Sequence, residues 1–302
     1  MTDTFDTRQV RRAFSRAAGQ YERAARLQRE IEARLLESLD YLDDPARGER
    51  PPELVVDLGC GPAHAAAAMH KRWPHARVLA LDQALLMLRE AGRKGRGWRL
   101  GLRKPFDRIC ADARALPLVE GSVDVLFSNL CLQWIDDLPA VFAGFRRVLR
   151  PGGLLLVSTF GPDTLAELRS AFSQADDAPH VSPFPSIARF GDALVHAGFR
   201  DPVLDRDLFV HGHRDLPELM RELRTLGATN ALQGRRHTLT GKARFAAAAA
   251  AYERERRADG LLPVTWEAIY AQAWAPQAGA PIREGGVEVT SVPVSQIPIR
   301  RR

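Results

Sequence analysis

The chain has 302 residues, 45% of them hydrophobic, enough for one large domain with an insertion or for two small ones. Its 43 Lys and Arg against 37 Asp and Glu give a formal charge of +6, an excess too modest to call for nucleic acid, and no aromatic-rich basic strand resembles an RNA-binding signature. Three cysteines without a C-x-x-C pair argue against a zinc site or disulfide framework and for a reducing cytoplasm, and with no run of about 18 apolar residues and no apolar core in "MTDTFDTRQVRRAF", neither a membrane span nor a signal peptide is expected.

Val10, Phe14, Ala17, Tyr21, Ala24, Leu27, Ile31 and Leu35 recur at steps of three and four, which predicts one amphipathic helix with Arg and Glu on its other face. "DDPARGERPP" reads as a loop. A βα rhythm follows. Strands are expected at 54–58, 78–81, 108–111, 123–128 and 154–159, and helices at 63–72, 84–91, 138–149, 163–175 and 186–197. Short apolar runs alternating with helices point to a parallel sheet covered on both faces. The basic, glycine-rich stretch 92–106 interrupts this rhythm and reads as a mobile surface loop. Beyond it, "PVLDRDLFVHG" looks like a strand, "LPELMRELRTLGA" and "ARFAAAAAAYERERRA" like helices, and "PVTWEAIYAQAWA" like a last strand. The Gly/Pro-rich tail 276–302 is expected to be extended or disordered.

The chemistry gathers at strand ends. In "ELVVDLGCGPAH", Gly59 and Gly61 remove side chains from a strand-to-helix turn, so backbone N–H groups can approach a ligand. Asp57 ends the first strand. Asp82 ends the second, where an acid can accept from both ribose hydroxyls of an adenosine. Asp112 follows the third, placed to accept from an adenine amino group, with the N–H of Ala113 beside it. Ser128 and Asn129 end the fourth. Taken singly, Asp57 could cap a helix and Asp82 could be a solvated loop acid; four such positions at successive strand ends make a nucleoside site. No G-K-[ST] follows the turn, which disfavours phosphoryl transfer, and Pro62, Ala63 and His64 crowd the place of a pyrophosphate. S-adenosylmethionine, with no phosphate, needs less room.

"VVDLGCGPA", "ALD", "ADARALP", "SNLCLQW" and "FRRVLRPGGLLLVSTF" resemble the successive motifs of class I S-adenosylmethionine-dependent methyltransferases. The flanking blocks "AFSRAAGQYERAARLQREI", "STFGPDTLAELRSAF", "PHVSPFPS", "LMRELRTLGATN" and "AAAAAYERERRADGLLPVTWEAIYAQAW" resemble a narrower group, the malonyl-acyl-carrier-protein O-methyltransferases of biotin synthesis. The resemblance implies a Rossmann-like α/β fold, a seven-stranded, mostly parallel sheet with helices on both faces and a helical lid insertion. On that basis 1–45 is an N-terminal helix, 46–214 the cofactor-binding core, 215–261 the lid, 262–275 the last core strand and 276–302 a flexible tail. It implies methyl transfer to the free carboxylate of malonyl-acyl-carrier protein or its coenzyme A equivalent. Masking that charge lets fatty-acid enzymes elongate the product toward pimelate.

By matching position, Asp57, Gly59, Gly61, Asp82, Asp112 and Ala113 are the expected cofactor residues, with Gln83, Met87, Asn129 and Leu130 as further candidates. Tyr21 matches the tyrosine of the N-terminal helix and is expected to close over the methionine end. Tyr21, Gln133, Trp134 and His180 are candidates for the substrate carboxylate. His180 can equally be a structural hydrogen-bonding residue, and Trp134 core. A carboxylate is already ionised at pH 7, so no general base is required; the site must align the reactants and exclude water. The carrier is an acidic protein, and a basic rim with Arg11, Arg12 and Arg221 could steer it. His211 and His213 lack a third ligand and are read as strand residues rather than a metal site. Ala63 stands where the family's turn commonly has a glycine, and 92–106 and the tail look like additions. Two other readings stay open: a methyltransferase on a small dicarboxylate or quinone precursor, and, from the carboxy-terminal block, a methyltransferase-fold assembly factor of respiratory complex I assigned to protein arginine hydroxylation.

Overall fold

A computed structural model describes residues 4–43, 50–94, 106–238, 240–279, 282–284 and 287–289. Seven strands form one sheet: β1 (Leu54–Leu58), β2 (Arg77–Asp82), β3 (Asp107–Cys110), β4 (Val123–Ser128), β5 (Leu149–Phe160), β6 (Arg200–His213) and β7 (Leu262–Trp274). Their order is β3-β2-β1-β4-β5-β7-β6, with β7 antiparallel to both neighbours and the other pairs parallel. The chain winds outward from β1 to β3, then returns to the other side at β4. Strand order therefore reverses between β1 and β4, and a crevice opens at their carboxyl ends, where ligands bind in open α/β sheets.

The helices are α1 (Thr7–Ala17), α2 (Tyr21–Ala24), α3 (Arg26–Glu37), α4 (His64–Arg72), α5 (Leu85–Lys94), α6 (Leu138–Val148), α7 (Ala166–Ser173), α8 (Ile187–His196), α9 (Leu216–Thr225) and α10 (Lys242–Glu253). Several begin on side-chain caps. Asp137, Ser186 and Asp215 accept from the backbone N–H of Ala140, Arg189 and Glu218, which satisfies donors that the first turn leaves free. Alternation along the strands then feeds two cores. Val55 and Phe127 pack with Ala66 and Met69 of α4, whereas Val56 and Leu126 pack with Phe142 and Phe145 of α6. All six residues of β4 are buried, as a strand covered on both faces requires.

Four sequence expectations need correction. The stripe from Val10 to Leu35 is not one helix but three, broken around Gly19 and again at Ala25, whose ψ of 39° leaves the helical region. Five of its eight positions, Val10, Ala17, Leu27, Ile31 and Leu35, are buried, whereas Phe14, Tyr21 and Ala24 are half-buried. The helix expected at 163–175 starts only at Ala166, because Leu165 is left-handed at φ 55°. Gly92, Arg93 and Lys94 extend α5 instead of opening a loop; residues 95–105 lie outside the described residues. In the tail, β8 (Ile282–Glu284) and β9 (Val287–Val289) pair as an antiparallel hairpin, and the expectation for 290–302 lies outside the described residues.

The segment between β6 and β7 carries α9 and α10 and touches the amino-terminal helices. Gly227, at φ 75°, leaves room for α1: a side chain there would lie 3.2 Å from the Ala17 methyl and the Phe14 backbone. The Asp6 N–H also donates to the Ala231 carbonyl at 2.7 Å.

Candidate active site

The turn after β1 is left-handed at three residues: Gly59 (φ 69°), Gly61 (φ 49°) and Ala63 (φ 61°). The two glycines serve different ends. A side chain on Gly59 would lie 2.6 Å from the Cys131 sulfur, so that clearance admits a neighbouring loop. A side chain on Gly61 would meet only the Tyr21 ring, at 4.0 Å, across a cavity that both residues line. Ala63 caps α4 while adopting a conformation that disfavours any Cβ, which explains why glycine suits this position. Asp57 does not line that cavity but borders a smaller one behind the turn, with Glu22, Arg29 and Glu32. It is 2% exposed, its Oδ2 accepts from Ala66 N–H at 2.9 Å, and it ties down the start of α4. Burial, reinforced by the Glu32 charge, pushes its carboxyl well above the usual range.

One cavity lies over the carboxyl ends of β1, β2 and β4. It gathers Tyr21, Gly59, Gly61, Asp82, Gln83, Met87, Asp112, Ala113, Asn129, Leu130 and Trp134 of the sequence-predicted set. The Asp82 carboxylate accepts from Gly61 N–H at 2.9 Å and Ala84 N–H at 2.7 Å, and burial raises its pKa to about 6. Asp112 is gripped by Arg114, through the guanidinium at 2.6 Å and the backbone N–H at 2.9 Å, which holds its carboxyl below the usual value. The Ser158 hydroxyl donates to the Asn129 side chain at 2.7 Å, which in turn donates to the Gln28 carbonyl at 3.1 Å. This pins the loop after β4, where Leu130 is also left-handed at φ 49°. Burial and the Glu32 and Asp82 charges push the Tyr21 hydroxyl pKa upward, so it stays protonated.

The cavity fits an adenosyl group. It offers one acid at the end of β2, a second after β3, an apolar floor at Met87, and open space where Gly61 lacks a side chain. A smaller cavity behind the turn joins Tyr21, Gly59 and Gly61 to Glu22, Arg29 and Glu32. Its mixed charges suit a zwitterionic amino-acid end. Glu22, Arg29 and Glu32 fall on the polar face expected of a single helix, and the breaks around Gly19 and at Ala25 turn them onto this cavity.

Gln133 and His180 lie elsewhere, in a second cavity of about 370 Å3 that shares Trp134 with the first. Phe160, Phe172 and Phe184 wall it, and Arg224, Arg235 and Arg236 bring positive charge. His180 stacks on Phe172, with ring centroids 4.1 Å apart, and its Nε2 lies 2.9 Å from Asp176 Oδ1. It thus has the structural bond expected as its alternative role while still bordering the cavity. Gln133, 7% exposed, donates to the Leu130 carbonyl at 2.7 Å. Trp134 meets Phe14 edge-on at 5.5 Å, which links α1 to the wall between the cavities. Sequence reading missed the three arginines and Trp266 here. His213 bonds Glu222 at 2.7 Å, and no group of three or more metal-ligating side chains occurs among the described residues. Arg11, Arg12 and Arg221 are exposed. No helix among the described residues is long and apolar enough to cross a membrane.

Residues 56–157 match the family model described as a methyltransferase domain. Across its whole length the chain is 60% identical to a Xylella fastidiosa protein named malonyl-[acyl-carrier protein] O-methyltransferase, covering 100% of this chain and 99% of that one. A Methylovorus protein of the same name is 44% identical over 285 residues, 93% of each chain. Among solved structures, the YcgJ protein from Bacillus subtilis shares the fold, with a TM-score of 0.54 at 15% identity over 76% of this chain and 94% of that one.

Proposed function

Because the chain belongs to the malonyl-[acyl-carrier protein] O-methyltransferase family, we propose that it methylates the free carboxylate of a malonyl group carried on acyl-carrier protein. The methyl donor is S-adenosylmethionine, and the product is the methyl ester that starts pimeloyl synthesis for biotin. The observation that carries this reading is the pair of adjoining cavities. One suits an adenosyl group; the other is apolar with three arginines; Trp134 belongs to both.

Asp82 would hold the ribose hydroxyls, Asp112 and Ala113 the adenine edge, and Glu22, Arg29 and Glu32 the amino-acid end. Gln83, Met87, Asn129 and Leu130 complete that wall. When bound, S-adenosylmethionine supplies a methyl group on a cationic sulfur, electrophilic enough for a carboxylate that is ionised at neutral pH. The chain's own task is alignment and exclusion of water, so no residue needs to remove a proton. Tyr21 covers the turn with a neutral ring and hydroxyl. Gln133, Trp134 and His180 border the acceptor. Segment 215–261 acts as a lid: its α9 and the loop beyond supply Arg224, Arg235 and Arg236. The exposed Arg11, Arg12 and Arg221 give an acidic carrier a complementary surface.

The test in cells is rescue. A biotin auxotroph lacking its own methyltransferase should grow without biotin when given this gene, and should fail with Asp82→Ala. Failure of the wild-type gene, with soluble protein present, would contradict the proposal.

A further inference from the structure

Five of the twelve buried side-chain polar atoms that lack a hydrogen-bond partner among the described residues line the second cavity. Four can donate: Nε1 of Trp134, Nε1 of Trp266, Nε of Arg236 and Oγ1 of Thr229. Trp266 is the firmest case. It stands on β7, 3% exposed, packed on Phe160 with ring centroids 5.2 Å apart. Buried donors normally find a partner, and leaving several unpaired in one place destabilises the fold unless a ligand brings acceptors.

Charge points the same way. No carboxylate lines this cavity. Arg235 is balanced by Asp6 at 2.9 Å, and one terminal nitrogen of Arg236 by Asp176 at 3.3 Å, which leaves the Arg236 Nε–H unused. Arg224 has no acidic partner among the described residues. Apart from the Gln133 Oε1 acceptor, the cavity therefore presents donors and positive charge on an apolar wall, which suits a ligand with several oxygen acceptors and a negative charge.

We propose that Trp266, Arg236 and Thr229 form the subsite that recognises the oxygens of a short carboxylate-ended acyl thioester and selects it over an uncharged one. The subsite rests on the function proposed above, where the malonyl head has three oxygen acceptors and one charge. It also accounts for turnover. The methyl ester keeps its oxygens but not its charge, so the same arginines that hold the substrate hold the product less well. These are specificity residues, since the methyl group is accepted by the substrate's own oxygen and nothing on this wall takes a proton.

Calorimetry on the full-length protein saturated with S-adenosylhomocysteine tests it, with malonyl-pantetheine and acetyl-pantetheine as titrants. Wild type should bind the malonyl compound at least about tenfold more tightly. Trp266→Phe, which removes the N–H and keeps an aromatic ring, and Arg236→Gln should each cut that preference several-fold. Thr229→Val gives a milder variant should either fold poorly, and unchanged affinity for S-adenosylhomocysteine confirms an intact cofactor cavity. In turnover, KM for the malonyl substrate should rise more than kcat falls. Equal wild-type binding of the two compounds, or full preference in all three variants, overturns the subsite. If wild type forms no methyl ester from any malonyl thioester, the proposed function fails instead, and the calorimetric preference still decides the subsite.

Discussion

Gly61 and Ala63 share a left-handed backbone, yet substitution should be disruptive at the first and nearly neutral at the second. Gly61→Val places a branched side chain at φ 49° and aims it at the space between the turn and Tyr21. Calorimetry should show no binding of S-adenosylhomocysteine while circular dichroism shows a folded protein. Ala63→Gly relieves about 1 kcal/mol of backbone strain and loses about 0.8 kcal/mol from a buried methyl group. Its melting temperature and cofactor affinity should therefore stay close to wild type. The ribose role proposed for Asp82 predicts a pH-dependent cofactor site. The Asp82 pKa is raised to about 6 in the folded protein. The stability linked to its protonation is present below its unfolded value and is lost as pH rises through about 6. Ribose hydroxyls donate best to the ionised form, so affinity should move the other way. Binding of S-adenosylhomocysteine should strengthen about tenfold from pH 5 to pH 7, and Asp82→Asn should bind weakly with a flat profile. A flat wild-type profile would mean that Asp82 is not the ribose acid.

At the scale of elements, the parallel half of the sheet was legible because each unit declares itself: an apolar run, an acid or glycine, then a helix. In the structure, Asp137, Ser186 and Asp215 cap α6, α8 and α9, a detail not read from the sequence. The amino-terminal segment was harder. Its apolar period runs unbroken from Val10 to Leu35, and only Gly19 signals that the helix axis turns there. That turn brings Tyr21 over the glycine loop and Glu32 toward Asp57. Asp176 is another device invisible in sequence. From the loop after α7 it holds His180 at 2.9 Å, Arg236 at 3.3 Å and Arg244, on α10, at 3.7 Å, and so fastens the α9–α10 segment to the core. Hydrogen bonding from His180 lowers its pKa, so the clamp works above the ordinary aspartate range and weakens as pH falls below it. Asp176→Ala should lower the melting temperature by a few degrees and speed limited proteolysis between residues 236 and 244. Affinity for S-adenosylhomocysteine should not change. Wild-type proteolysis in the variant would show that the segment is held by other contacts.

At the scale of the molecule, two cavities that share Trp134 are proposed to form one reaction space. The cofactor side is assembled from consecutive strand ends, so its residues follow one another in sequence and their spacing is readable. The proposed acceptor side draws on Gln133, His180, Thr229, Arg236 and Trp266, which line one cavity from more than a hundred residues of chain. These meet only because β7 returns antiparallel beside β5 and carries Trp266 back past Phe160. No local pattern records that meeting. The central claim is that the two spaces serve one methyl transfer, from S-adenosylmethionine to a carrier-bound malonyl carboxylate. The most direct measurement is intact-mass analysis of malonyl-acyl-carrier protein incubated with the purified protein and S-adenosylmethionine. The account predicts a gain of one methyl group on the malonyl moiety, abolished by Gly61→Val and absent with acetyl-acyl-carrier protein. An unchanged malonyl-carrier mass, with S-adenosylmethionine bound and the protein folded, would contradict it.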